Sequence, residues 1–282
     1  MKPATFAYAK AQSVAEAVAT LATHGDDARI IAGGQSLVAM LNMRLSAPSV
    51  LIDINDIPGL SDIAIEGDSL KIGALVRYTQ ALRSPLVAEH APLLARAIPH
   101  IAHAAIRNRG TLGGSVAFAD PAAEMPACIL ALGGSITLSG PDGDREVSAD
   151  DLFLGLYETA LGPSDMLTGL RLPLHTKESR VGFAEFARRH GDYAMVGLAA
   201  TARARGDGIA DVRLAYFSVG QCATRATGAE QALAVGDIEG AVAALETDLD
   251  PTGDIHASRD TKMHLAGVLL RRVAAQLSEA PK

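Results

Sequence analysis

Val14, Val18 and Leu21 recur at helical spacing, and this pattern predicts a helix over residues 13–23, with Ser13 as its N-cap and Glu16 three positions on. The apolar run at 28–32 reads as a short strand. Gly33 and Gly34 then interrupt the pattern, and helical spacing returns over 38–45 until Pro48 bars continuation. Residues 49–54 form a second apolar run, ending in Asp53, Ile54 and Asn55. Residues 1–55 therefore predict a small α/β unit with a glycine turn at a strand exit, the end at which parallel strands commonly hold ligands.

The pattern changes to short β-like runs at 63–65 and 69–73, turning at Gly67-Asp68. Helical spacing at 79–82 and 86–105 is broken into pieces by Pro92 and Pro99. A second flexible turn spans 110–114, and a helix is predicted over 121–130. Strand, turn and strand follow at 135–138, 140–143 and 145–147. The run 165–172, closed by Pro173, reads as an edge or core strand and completes a second unit, 56–175. Beyond it, alternation over 181–188, 194–205 and 212–219, joined at Gly206-Asp207-Gly208, predicts an antiparallel sheet. Helical segments at 230–234, 238–245 and 261–277 complete a third unit, 176–282. In the last of them Leu265, Leu269, Leu270, Val273 and Leu277 make an apolar stripe expected to pack on that sheet.

Composition narrows the function classes. The chain has 282 residues, 49% of them hydrophobic but only 4% aromatic, so aliphatic side chains must fill a substantial core. A formal charge of -7 argues against general binding to nucleic acid or anionic membrane. The 2 cysteines, Cys128 and Cys222, supply neither a disulfide framework nor a thiolate set for zinc or a [4Fe-4S] cluster, and read as buried thiols. No apolar h-region opens the chain and no stretch reaches membrane-spanning length, which sets the expectation of a soluble, cytoplasmic protein.

Candidate chemistry lies in the two glycine turns. Ala32-Gly33-Gly34-Gln35-Ser36-Leu37 offers close backbone approach, an amide and a hydroxyl, and a helix beginning near Ser36 adds unsatisfied N–H groups. Arg107-Asn108-Arg109-Gly110-Thr111-Leu112-Gly113-Gly114-Ser115 offers two hydroxyls, open N–H groups expected at Gly113 and Gly114, and two cations beside them. Neither has the Gly-Lys-Ser/Thr ending of a P-loop or the Gly-x-Gly-x-x-Gly spacing of a dinucleotide fold. Each alone is compatible with an ordinary turn; together they point to a shared diphosphate ligand.

Several side chains leave two readings open. Asp120 is expected to cap a helix starting at Pro121, and Glu124 either accepts ribose hydroxyls or faces solvent. Tyr193 either stacks on a cofactor ring or packs at a hinge. His190 is a loop histidine or a proton donor, and Lys177, Arg188 and Arg189 either balance cofactor charge or cover a surface. His100 and His103 are spaced to share a helical face without a third ligand, so no metal site is expected. Nothing in the chain demands a general acid or a nucleophile.

The two turns, followed in order by Gly191-Asp192-Tyr193-Ala194, resemble the FAD-binding medium subunit of the molybdenum hydroxylases, the family of carbon monoxide dehydrogenase and bacterial xanthine-type dehydrogenases. The resemblance covers nearly the full length, including residues 253–258. It implies an α+β chain with a vanillyl-alcohol-oxidase-type (PCMH-type) FAD-binding fold of two subdomains, then a C-terminal antiparallel sheet packed with helices. It implies that Ala32, Gly33, Gly34, Gln35, Ser36 and Leu37 hold the FAD diphosphate, with Thr111, Gly114 and Ser115 contributing from the other side. Glu124 stands where the family often has an aspartate on the adenosine ribose, and Tyr193 is the counterpart of an aromatic beside the isoalloxazine.

The implied function is electron transfer. Substrate is hydroxylated at a molybdenum cofactor in a large subunit, electrons cross two [2Fe-2S] clusters in a small subunit, and FAD here passes them to an external acceptor. With 2 cysteines the chain leaves those clusters to its partners, and it lacks ligands for the extra cluster of the benzoyl-CoA-reducing branch. Neither turn contains histidine, which implies noncovalent FAD. The resemblance further implies a dimer of heterotrimers, and the Gly-Asp-Tyr segment leans toward an aromatic N-heterocycle as substrate. A self-contained FAD-dependent NAD(P)H oxidoreductase and a nonenzymatic FAD-binding assembly subunit are the alternatives.

Overall fold

Ser13 caps the helix Val14–His24: its Oγ accepts from the Glu16 N–H at 3.2 Å, and the Glu16 carboxylate reaches back to the Gln12 N–H at 2.8 Å. A computed structural model describes residues 2–279. The helix buries Ala17, Val18 and Leu21 against a sheet of parallel strands, in the spatial order Ala7–Lys10, Val50–Asp53, Ala28–Ile31. The pattern of the sequence does not announce the first of these strands, because AYAK lies at an exposed edge and Tyr8 faces solvent. Ile31 pairs with Asp53, so the central strand and Ala28–Ile31 end level and the chain leaves them side by side at Ala32 and Ile54. The helix after the first glycine turn spans Leu37–Met43. It stops at Arg44, which turns left-handed at φ 59°, before Pro48 is reached.

The second sheet is antiparallel, in the order Ile63–Glu66, Ser69–Gly73, Met166–Pro173, Ser135–Gly140, Gly143–Ser148. Met166–Pro173 is thus a central strand, and it buries Leu170 and Leu172 completely beside Leu70, Ile72, Ile136 and Leu138. Between the second and fourth of these strands in space, the chain runs through short helices. Pro92 opens the helix Pro92–Ala97 at its first turn, where a missing N–H costs nothing.

Three local expectations fail there. The turn at 110–114 is already helix from Leu112, because the Thr111 side chain caps Leu112–Phe118 by accepting from the Gly114 N–H. The helix expected from Pro121 begins instead at Glu124 (Glu124–Leu132), because Asp120 draws the Ala122 and Ala123 N–H groups into a turn of its own. His100 and His103 do not share a helical face either: His100 closes one short helical turn and His103 precedes the next helix.

The third sheet joins Ser179–Ala187, Ala194–Arg205, Gly208–Phe217 and the short strand Thr224–Arg225, all antiparallel. One face receives the helix Arg259–Ser278, whose Leu269, Leu270, Val273 and Leu277 are fully buried. The other face packs on the helix Glu124–Leu132, where Thr201 Oγ1 donates to the Ala131 carbonyl at 2.7 Å and Arg213 to the Leu130 carbonyl at 2.8 Å. This contact seats the sheet on that helix, and the Gly191-Asp192-Tyr193 turn joins the first two of these strands.

Candidate functional site

The two glycine turns, far apart in sequence, are in direct contact. A Cβ at Gly33 would stand 2.9 Å from the Gly110 Cα and closer still to the Arg109 carbonyl, so only glycine lets the turns approach this far. Asn55 and Arg77, which the sequence does not single out, tie them together. Asn55 Nδ2 donates to the Ala32 carbonyl at 2.9 Å, while Arg77 donates to the Arg109 carbonyl at 2.8 Å and reaches Asn55 Oδ1 at 3.5 Å. Asn55 follows the central strand of a parallel sheet and so emerges beside the loop it holds; that position was the one available signal. Arg77 offers none.

The turns differ in what they present. Among the described residues, the N–H groups of 33–37 donate to no protein acceptor, and Ser36 leaves its hydroxyl out of any cap bond. The expected open N–H groups at Gly113 and Gly114 are not available. Gly113 donates to the Ala74 carbonyl and Gly114 to Thr111 Oγ1, both at 3.1 Å. Gly113 is required for packing, since a Cβ there would lie 2.6 Å from the Ala74 Cα. The neighbouring cations do not enter either: Arg107 turns to the carbonyls of Pro99, Ile101 and Ala102, and the Arg109 side chain is exposed. Arg29 is the sole Lys or Arg among the described residues lining the cleft, and its guanidinium is turned to the Asp26 and Ala28 carbonyls. An anion here would be held by backbone dipoles rather than by side-chain charge.

The opposite wall carries carboxylate and phenol groups. Glu124, 8% exposed at the start of its helix, has its carboxyl raised to about 7 by burial and then by the Glu185 and Asp120 carboxylates; its own N–H and His100 oppose the shift. The helical segment thus places Glu124 in the cleft, not in solvent. Tyr193 stands at the mouth as an exposed residue, while partial desolvation and the nearby Asp120 carboxylate push its hydroxyl up. Tyr157 and Phe118 pair beside it with ring centroids 5.0 Å apart. His190 lies outside the lining, against His100, whose Nδ1 is 3.2 Å from Glu185 Oε1. Lys177, Arg188 and Arg189 are exposed away from it, and Cys128 is buried while Cys222 is half-buried. Among the described residues no group of His, Cys, Asp and Glu could hold a metal ion.

All these walls enclose one cleft of about 750 Å³, toward the upper end of the range for small-molecule sites. Ala32, Gly33, Gly34, Gln35, Ser36, Leu37, Thr111, Gly114, Ser115, Glu124 and Tyr193 all line it. The donor set fits FAD: unpaired amides and hydroxyls for a diphosphate, a buried carboxyl for sugar hydroxyls, and an aromatic face at the mouth. No described helix is long and apolar enough to cross a membrane.

Residues 4–175 match the family model described as the FAD binding domain in molybdopterin dehydrogenase, and residues 182–277 match the CO dehydrogenase flavoprotein C-terminal domain. The chain is 38% identical to the 6-hydroxypseudooxynicotine dehydrogenase complex subunit alpha of Paenarthrobacter nicotinovorans, over 98% of this chain and 95% of that protein. Its fold matches a chain of carbon monoxide dehydrogenase from Hydrogenophaga pseudoflava with a TM-score of 0.96, 36% identity and 98% of each chain covered. It also matches quinoline 2-oxidoreductase from Pseudomonas putida 86 with a TM-score of 0.91, 38% identity, and 99% and 98% covered. By these matches the chain belongs to the FAD-binding medium subunits of the molybdenum hydroxylases.

Proposed function

We propose that the cleft holds FAD noncovalently and that the chain relays electrons from the [2Fe-2S] clusters of a small partner subunit to an external acceptor. Residues 1–55 and 56–175 supply the two sides of the cleft, and 176–282 its Tyr193 wall. In this reading the N–H groups of 33–37 hold the diphosphate, with the Ser36, Thr111 and Ser115 hydroxyls beside it and Gly114 leaving room. Glu124 accepts hydroxyl hydrogens of the ribose, and Tyr193 covers the isoalloxazine. FAD supplies the chemistry of taking electrons singly and passing them singly or in pairs. The chain's own part is to bind, orient and shield it.

The observation that carries this reading is the set of unpaired 33–37 amides opening into the same cleft as Thr111, Ser115 and Glu124. A large molybdopterin subunit completes the proposed assembly, a dimer of heterotrimers working in the cytoplasm. Quinoline and hydroxypseudooxynicotine both carry an aromatic nitrogen ring, and relatives named for them favour an N-heterocycle as the substrate of that subunit.

The test is to add substrate to the native complex, and separately NADH or NADPH to the isolated FAD-loaded chain, and follow flavin bleaching. Bleaching by substrate only when both partners are present is the expected result. Rapid bleaching of the isolated chain by a pyridine nucleotide, with turnover, would instead make it a self-contained reductase. A flavin that stays oxidised while the complex turns over would make it an assembly subunit.

A further inference from the structure

Arg107 stands beside the second glycine turn in sequence but serves another part of the cleft. A single nitrogen, Nη1, lies within reach of three carbonyl oxygens: Ile101 at 2.8 Å, Ala102 at 2.9 Å and Pro99 at 3.4 Å. They belong to a bend in which Ala102 takes φ 42°, a left-handed conformation that alanine adopts only when its surroundings enforce it. This bend lines the cleft. It also meets Gly191, itself at φ 86°, so closely that a Cβ on that glycine would lie 2.6 Å from the same Ala102 oxygen. Gly191 and Asp192 lead directly into Tyr193, and the Asp192 N–H closes the turn on the Arg189 carbonyl at 3.1 Å. From the same bend, His100 reaches Glu185 on the strand that precedes the turn.

We propose that Arg107 is a positioning residue: by gathering these carbonyls it holds Ala102 in its left-handed bend, and the bend sets the place of the Gly191-Asp192-Tyr193 turn at the cleft mouth. The guanidinium touches no ligand in this role. Nη1 carries two hydrogens, which serve the Ile101 and Ala102 oxygens, while the longer Pro99 contact is shared. The consequence for flavin rests on the reading that Tyr193 covers the isoalloxazine; the consequence for the turn does not.

Both parts are testable on the full chain. In the R107M variant without FAD, amide hydrogen exchange over 189–194 should accelerate by about tenfold or more, while that over the 33–37 loop stays as in wild type. With FAD, R107M should keep full stoichiometry but show a shifted visible flavin band, and R107K should recover part of the wild-type spectrum. Ala102→Gly lets the bend form without strain, so R107M/A102G should regain protection over 189–194. If R107M alone does not fold, the double variant should restore a folded chain, and failure to do so overturns the proposal. Wild-type exchange at 189–194 in R107M also overturns it, as does loss of FAD stoichiometry with that exchange unchanged, the mark of an anion ligand. Should the wild-type chain take up no FAD, the flavin reading falls while the exchange experiment still decides the clamp.

Discussion

Replacing Gly33 with alanine adds one carbon, 2.2 Å from the Arg109 carbonyl oxygen and 2.9 Å from the Gly110 Cα. Both are backbone atoms, so no rotamer change relieves the overlap. Gly33 does not have a positive φ, and alanine therefore meets a contact problem rather than a conformational one. A tight carbon–oxygen contact stands at roughly 3.2 Å, so the two turns must part by about 1 Å. Overpacking of this kind costs about 1–3 kcal/mol. Expressed wholly in cofactor binding, that is roughly a 5- to 150-fold rise in Kd. Expressed in folding, it lowers Tm by about 2–4 °C per kcal/mol.

Gly114→Ala is the matched control. There the nearest atom is Thr111 Oγ1 at 2.7 Å, a side-chain hydroxyl that moves by giving up its cap on the Gly114 N–H at a cost of about 1 kcal/mol, and the next is Ala32 Cβ at 4.0 Å. The assay is a fluorescence titration of the FAD-free chain with FAD, paired with a thermal melt of each variant. G33A should lose more than G114A in the sum of the two effects. G33A that binds FAD and melts as wild type, or G114A that is the worse of the two, would refute the claim that contact between the turns shapes the site.

Three further expectations follow from the same geometry. Glu124, with its carboxyl raised to about 7 against an ordinary 4.5, favours its protonated form in the folded chain. Its contribution is therefore most favourable below about pH 4.5, falls as pH rises to about 7 and is constant above, an order of 3 kcal/mol in all. The stability difference between E124Q and wild type without FAD should track that window. If ribose hydroxyls donate to the carboxylate, FAD binding should release a proton near neutral pH, and E124Q should abolish the release; calorimetry in buffers of different ionisation enthalpy reads this directly. Arg77→Met removes the donor to the Arg109 carbonyl, with an expected loss of about 1–3 kcal/mol shared between Tm and FAD affinity; wild-type values in both would remove Arg77 from the site. Tyr193→Ala, at a residue 69% exposed, should leave Tm within about 1 °C while changing the visible flavin spectrum; a large fall in Tm with an unchanged spectrum would make Tyr193 a packing residue.

What the sequence disclosed divides by range. The Ser13 cap, the apolar stripe from Leu265 to Leu277 and the long antiparallel strands are local patterns, and each forms as its periodicity predicts. The Ala7–Lys10 strand stayed hidden because its partner is Val50–Asp53 and its own residues face solvent. Gly113 and Arg107 misled for a common reason: adjacency to a glycine turn suggested a ligand, while the requirement lies across space, at Ala74 for one and at Ala102 for the other. Asn55 and Arg77 act through carbonyls of distant loops, a role that any polar residue can fill and no motif marks. Glu124, left between ribose and solvent by its sequence, is fixed by Asp120, whose turn delays the helix and carries the carboxylate into the cleft.

The unpaired amides of residues 33–37 are the feature on which FAD binding turns. A crystal structure of the chain with FAD tests them directly. Diphosphate oxygens should lie within hydrogen-bonding distance of those N–H groups, with the Thr111 or Ser115 hydroxyl on the other side. FAD seated elsewhere, or a diphosphate held by arginine side chains while those amides face water, would contradict that role.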